Sequence, residues 1–297
     1  MRADKLYEEA LRSILADAAH PAVQNTKRMI EEDSAKLRHE AESGDGAAQV
    51  RLCAESYETG SGGDTDAAQW CRKAAEQGYP KAQTILGILY GSGQGVQKDD
   101  VEAALWFRKA AEQGDGGGQG FLGVMFANGA GVTKDETEAI RWYRKAAEQG
   151  NSGAEYNLGN AYAIGQGVEK DDIEAARWFR KSAEQGLAQA QLNLGTMYAS
   201  GRGVPQNSPE AVRWWRNAAE QGEAHAQCLL GAAYASGQGI PRDDVEAYFW
   251  LNLGAAALDD NARSSRDKVG EHLTPEKRLE VQERCRNWAE AHSHGHS

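Results

Sequence analysis

Six tryptophans, Trp70, Trp106, Trp142, Trp178, Trp214 and Trp250, stand 36 residues apart along this chain. Glycines keep the same spacing at Gly78, Gly114, Gly150, Gly186 and Gly222, usually after AAEQ or SAEQ. A period of this length denotes a solenoid, because one such unit cannot bury its apolar face alone and stacks on its neighbours. A quasi-one-dimensional stack has no single central core, so chain length stops being a guide to domain number. Most of the 34 glycines fall in fixed columns of the repeat, which removes any need for a low-complexity body.

The segment from Lys81 to Gly114 shows what one unit contains. Ala82, Ile85, Leu86, Leu89 and Tyr90 follow the i, i+3, i+4, i+7, i+8 spacing of one helical face. Ala103, Trp106, Phe107, Ala110 and Ala111 repeat those offsets on a second helix. The two are called helix A and helix B. Asp99, Asp135, Asp171, Asn207 and Asp243 occupy the N-cap column of helix B, with Glu102, Glu138, Glu174, Glu210 and Glu246 three residues on. That pattern predicts a capping box, in which the cap oxygen takes one orphan N–H and the glutamate reaches back to the cap's own N–H. The glycine after AEQ falls where a C′ residue with positive φ ends the helix.

Two further glycine columns invite interpretation. The GQG and GAG triplets between the helices superficially resemble phosphate-binding loops, but no strand precedes them and the motif occurs five times. They are expected to be turns. Gly87, Gly123, Gly159, Gly195 and Gly231 sit within helix A, where glycine costs about 1 kcal/mol against alanine. Its recurrence predicts a close helix–helix approach there.

The pattern A-x-x-x-L-G-x-x-Y-x-x-G-x-G-V…D-x-x-x-A…W-x-x-K-A-A-E-Q-G closely resembles the Sel-one-like repeat (SLR) family, relatives of the tetratricopeptide repeat. Ala154 to Gly159, Tyr162 and the GQGV that follows carry the likeness most fully. The resemblance implies an all-α, right-handed superhelical solenoid of helix-turn-helix repeats, with helix A lining a concave face. It also implies an adaptor or scaffold in signalling, secretion or quality control rather than an enzyme. Six repeats are expected at about 45–78, 79–114, 115–150, 151–186, 187–222 and 223–258. Residues 1–44 form an N-terminal helical cap and 259–291 the C-terminal capping helices, with 292–297 a disordered histidine-rich tail.

Within the N-terminal part, Leu6, Ala10 and Ile14 suggest an amphipathic helix ended before Pro21, and a second helix is expected from about Val23 to Glu42. No apolar core of a signal peptide stands at the start, and no apolar run is long enough to span a membrane. The first full unit has 34 residues and an irregular loop, as terminal repeats often do. In the C-terminal part, Thr274 and Pro275 read as N-cap and N1, and Val281, Cys285, Trp288 and Ala289 as the face that packs on the sixth repeat. Secreted SLR relatives rich in cysteine staple each unit with a disulfide. Cys53, Cys71, Cys228 and Cys285 lack that regular pairing, so a reduced, cytoplasmic setting is expected, with a Cys53–Cys71 bridge the alternative.

Chemistry-bearing constellations are sparse. His292, His294 and His296 have no carboxylate or cysteine to complete a metal site, so neither metal nor cofactor is expected. Only His225 of the seven histidines lies within a repeat, and no nucleophile motif appears. The chain is expected not to be an enzyme. The alternative is a hydrolase of the penicillin-binding or β-lactamase-like kind, implied only by cysteine-rich relatives. A net charge of −11 without a basic stripe argues against nucleic acid. Caps at both ends argue for a monomer over end-to-end assembly.

The face of helix A opposite its core stripe carries the functional expectation. Its columns read Thr84, Ile88, Gly91; Gly120, Val124, Ala127; Tyr156, Asn160, Ala163; Leu192, Thr196, Ala199; and Cys228, Ala232, Ala235. None is charged, in a chain of which a quarter is charged. Two accounts stand open: tight curvature crowds these positions, or they line a groove for a peptide or protein partner. The candidate contact residues are Thr84, Ile88, Val124, Tyr156, Asn160, Leu192, Thr196 and Cys228.

Overall fold

A computed structural model describes residues 21–59, 64–257 and 260–293. The amphipathic helix expected before Pro21 lies outside them, as do His294 and His296. The described residues form fifteen α-helices. In chain order, α1 is Pro21–Glu42, α2 Gly46–Thr59, α3 Asp64–Glu76, α4 Pro80–Ser92 and α5 Asp100–Glu112. Next come α6 Gly116–Asn128, α7 Glu136–Glu148, α8 Ser152–Ile164, α9 Asp172–Glu184 and α10 Ala188–Ser200. The last five are α11 Ser208–Glu220, α12 Ala224–Ser236, α13 Asp244–Ala257, α14 Asp260–Gly270 and α15 Pro275–Ser293. From α2 to α13 the helices alternate A and B as the periodicity predicts, an all-α helical-repeat fold. The chain divides into two compact units, one up to Gly118 and one from Gln119.

In the first unit, Leu37 and Ala41 of α1 close one end of a core built from Leu52, Cys53, Cys71, Ala74, Leu86 and Leu89. In the second unit the logic of each core is plainest between α9 and α11. Ala175, Ala176, Phe179 and Ala183 of α9 meet Ala190, Leu194 and Met197 of α10, and Trp214 of α11 closes the cluster. Each core therefore lies between repeats: a B helix, the next A helix, and the following tryptophan. At the far end Val281 of α15 is buried against Phe249 and Trp250, and Cys285 and Trp288 pack on the same cluster. Ala289, expected on that face, is instead exposed; the buried side of α15 is narrower than its sequence suggests.

Helix ends follow from local chemistry. Gln113 caps α5, Gly114 follows with φ 91°, and the amides of Gly114 and Asp115 return to Ala111 O and Ala110 O, a Schellman closure. At the other end Asp99 Oδ1 accepts from the amides of Val101 and Glu102 at 2.9 and 3.1 Å. The expected capping box is only half formed. The amide of Asp99 donates to Tyr90 O, and those of Asp135, Asp171, Asn207 and Asp243 donate to Phe126, Tyr162, Tyr198 and Tyr234 O. That bond ties the loop back to helix A and leaves the glutamate no donor to reach. Glu138, Glu174 and Glu210 turn instead to the arginine one turn on, Arg141, Arg177 and Arg213.

The glycines within helix A answer to close packing. A Cβ on Gly159 would lie 2.6 Å from the ring of Phe179, and Gly123 and Gly195 face Tyr143 and Trp215 at the same distance. The triplets between helices are turns, with Gly165 and Gly167 at φ 77° and 70°. Gly159→Ala is expected to destabilise the protein by up to about 2 kcal/mol, because overpacking costs about 1–3 kcal/mol against a helix-propensity gain of about 1 kcal/mol. Gly153→Ala, exposed in the same helix, gives no such loss. Urea melts of the pair check this, and a Gly159→Ala protein as stable as the parent would mean the helices can move apart without cost.

The cysteine expectation is corrected. Cys53 of α2 and Cys71 of α3 form a disulfide, with Cα atoms 4.6 Å apart and both residues fully buried. One turn of helix A faces one turn of helix B there, so the sulfurs meet inside the core. Cys228 and Cys285 stand outside that bridge and are half-buried.

Candidate functional site

The helix-A positions differ in what they face. In the first unit, Thr84 is buried and its hydroxyl donates to Asp115 Oδ2 at 2.8 Å; the same carboxylate accepts from the amide of Gly118 at 2.7 Å. Thr84 thereby joins one repeat to the start of the next. Ile88 is half-buried. In the second unit, Cys228 packs against α13, its sulfur 2.5 Å from where a Cβ on Gly254 would stand. Tyr156 lies half-buried against Phe179, ring centroids 5.9 Å apart. Leu192 is half-buried. The exposed Thr196 accepts a 3.5 Å bond from Trp215 Nε1. Asn160 accepts a 3.4 Å bond from Asn193 Nδ2 on the next A helix. Crowding thus explains Thr84 and Cys228. The other side chains are partly open.

Val124 and Asn160 come together across a cavity of about 250 Å³ between α6, α7 and α8. Val124, Ala127, Ala139 and Ile140 make its apolar wall, and Asn128, Asn157, Asn160 and Gln166 bring four carboxamides to it. Glu136, Tyr143 and Ala161 complete the lining. Lys134 Nζ at 2.7 Å and Gln166 Nε2 at 3.1 Å hold the Glu136 carboxyl below its ordinary range. Burial pushes the Tyr143 phenol up to about 12. Neither group exchanges a proton near neutral pH. The cavity therefore presents neutral donors and acceptors beside a carboxylate already engaged, which suits an uncharged polar group with an apolar stem.

Three polar patterns went unread in the sequence. Gln77, Gln113, Gln149 and Gln221, each the glutamine of AEQG, donate Nε2 at 2.8 Å to Gln49, Gln83, Gln119 and Gln191 on the adjoining A helix. Arg72, Arg144, Arg180 and Arg216 donate to the hydroxyls of Tyr90, Tyr162, Tyr198 and Tyr234. Lysines stand over the indoles one turn before them: Lys109 over Trp106 at 3.7 Å and Lys181 over Trp178 at 4.2 Å. The signal for the first was present, since both glutamine columns recur at fixed positions. Among the described residues no three His, Cys, Asp or Glu side chains gather as a metal would require, and no helix is long and apolar enough to cross a membrane.

The Sel1 repeat matches residues 46–79, 80–115, 118–151, 152–187, 188–223 and 224–257, and the chain belongs to the Sel1 repeat family. Proteins of this family are generally interaction scaffolds and typically not enzymes. Among solved structures, the chain is similar to a protective antigen present in uropathogenic Escherichia coli strains that displays an SLR fold. The two share 34% identity with a TM-score of 0.74 over 88% of this chain and 57% of the antigen. It is also similar to a Sel1 repeat protein from Oxalobacter formigenes, at 33% identity and TM-score 0.68, over 79% of this chain and 95% of that one. The chain thus spans little more than half the length of the antigen. No curated protein matches it.

Proposed function

We propose that this protein is a non-enzymatic, monomeric scaffold that holds a segment of another protein on its helix-A face, with the cavity between α6, α7 and α8 as the anchor point. The observation that carries this reading is the cavity's make-up: an apolar wall of Val124 and Ile140 below the carboxamides of Asn128, Asn157, Asn160 and Gln166. Carboxamides donate and accept at once, matching a backbone peptide group or an asparagine or glutamine side chain. The volume admits about one side chain, so the rest of a bound segment extends along Tyr156, Leu192 and Thr196. Ile88 belongs to the same class of position in the first unit. The Cys53–Cys71 bridge weighs toward an oxidising compartment and against the cytoplasmic setting expected from the cysteine count.

Selection from a random peptide display library tests the reading. Enriched peptides are expected to share an amide-bearing or small polar residue flanked by apolar ones. Asn157→Ala with Asn160→Ala removes two hydrogen-bonding groups, each contributing about 0.5–1.5 kcal/mol, so affinity is expected to fall about tenfold or more. The thermal melt moves little, because neither side chain is core. Peptides that bind the double variant as well as the parent would place the binding surface elsewhere.

A further inference from the structure

Position 155 departs from a pattern that four other repeats keep. Gln49, Gln83, Gln191 and Gln227, its counterparts in four other repeats, are buried and each donates Nε2 to the carbonyl eight residues back, those of Ala41, Ala75, Ala183 and Ala219. Gln49, Gln83 and Gln191 also accept, through Oε1, from the AEQG glutamine. One side chain thus pins an A helix to the B helix before it and to the B helix after it. In the fourth repeat this residue is Glu155, only 4% exposed. It keeps the acceptor half of the role, taking a 2.6 Å bond from Gln185 Nε2. An ionised carboxylate has no hydrogen for the other half, and the equivalent carbonyl is that of Ala147 at the end of α7.

We infer that Glu155 is an acid-responsive latch between α7 and α8: as the neutral acid it completes the glutamine pattern by donating to Ala147 O, and as the carboxylate it releases that bond. The charged groups acting on it are both on α9, and they oppose each other. Lys181 favours ionisation and Glu184 disfavours it; α7 contributes Ala146 and Ala147 at this joint. Burial is the largest influence and holds the carboxyl above its ordinary range. The sign follows. A carboxyl that keeps its proton in the fold at a pH where the unfolded chain has lost it stabilises the fold more as pH falls. That stability is fully present below the unfolded pKa and is lost as pH rises through the folded one. Because α8 also carries Asn157 and Asn160, the latch governs how firmly one wall of the cavity is held, a consequence for binding that rests on the function proposed above.

Hydrogen exchange on the free protein tests the latch without any partner, so its failure is distinct from failure of the binding reading. With rates corrected for intrinsic pH dependence, amides of α8 in the parent are expected to be better protected at pH 4, below the ordinary glutamate pKa of about 4.3, than at pH 8. Glu155→Gln restores the residue used in the other repeats and should hold the higher protection at both values, with a raised urea midpoint at pH 8 only. A parent whose α8 protection does not change between the two pH values, or a Glu155→Gln protein with the parent's pH dependence, would overturn the inference.

Discussion

Replacing Trp214 with alanine is expected to cost about 3–5 kcal/mol, the range for truncating a large aromatic in a core. Trp214 is 7% exposed and seals the cluster that α9 and α10 make between them, so the loss falls on the coupling of two repeats rather than on one helix. The guanidinium of Arg213, 4.7 Å above the ring, loses its aromatic partner as well. Asn207→Ala at the start of the same helix removes one cap bond, Glu210 N to Asn207 Oδ1 at 3.1 Å, and is expected to cost nearer 1 kcal/mol. Urea melts of the two variants decide the ordering. Equal losses would mean that the tryptophan column is peripheral to the cores.

The contrast between those two positions also explains what was legible in the sequence. Periodicity reports burial, and burial is what Trp214, Leu194 and Ala175 share, so the helices and their faces follow from spacing alone. Gly159 was legible for a related reason: a residue that disfavours helix, repeated in mid-helix, needs a packing cause, and Phe179 is that cause. Polar geometry was less accessible. Spacing places Glu138 three residues after Asp135 but cannot reveal that the Asp135 amide is already taken by Phe126 O. The site divided in the same way. Val124 and Asn160 were accessible as uncharged helix-A positions, whereas Glu136 and Tyr143 reach the cavity from helix B and Gln166 from the loop after α8. Three segments distant in sequence form it, and a single helical wheel describes only one of them.

The disulfide stood only as the alternative because cysteine was weighed as a repeating column, and one pair does not make a column. Its removal carries the second large effect. Cys53 and Cys71 are separated by 18 residues, and closing a loop of that length in the unfolded chain is worth about 3 kcal/mol in the chain-entropy account. Alanine suits both positions, since each is fully buried among Leu52, Ala74 and Leu86, so little beyond the cross-link is lost. Cys53→Ala with Cys71→Ala is therefore expected to lower stability by about 3 kcal/mol. The effect should concentrate where the bridge acts. Leu37 and Ala41 of α1 rest on the core that the bridge crosses, and Gln49, four residues before Cys53, holds Ala41 O at 2.9 Å. Faster hydrogen exchange is thus expected in α1, α2 and α3, with α9 to α12 unchanged. A thiol count under non-reducing, denaturing conditions checks the premise: two cysteines should react, Cys228 and Cys285, and four after reduction. Four reactive thiols before reduction would remove the bridge, and with it the support for the oxidising compartment proposed above.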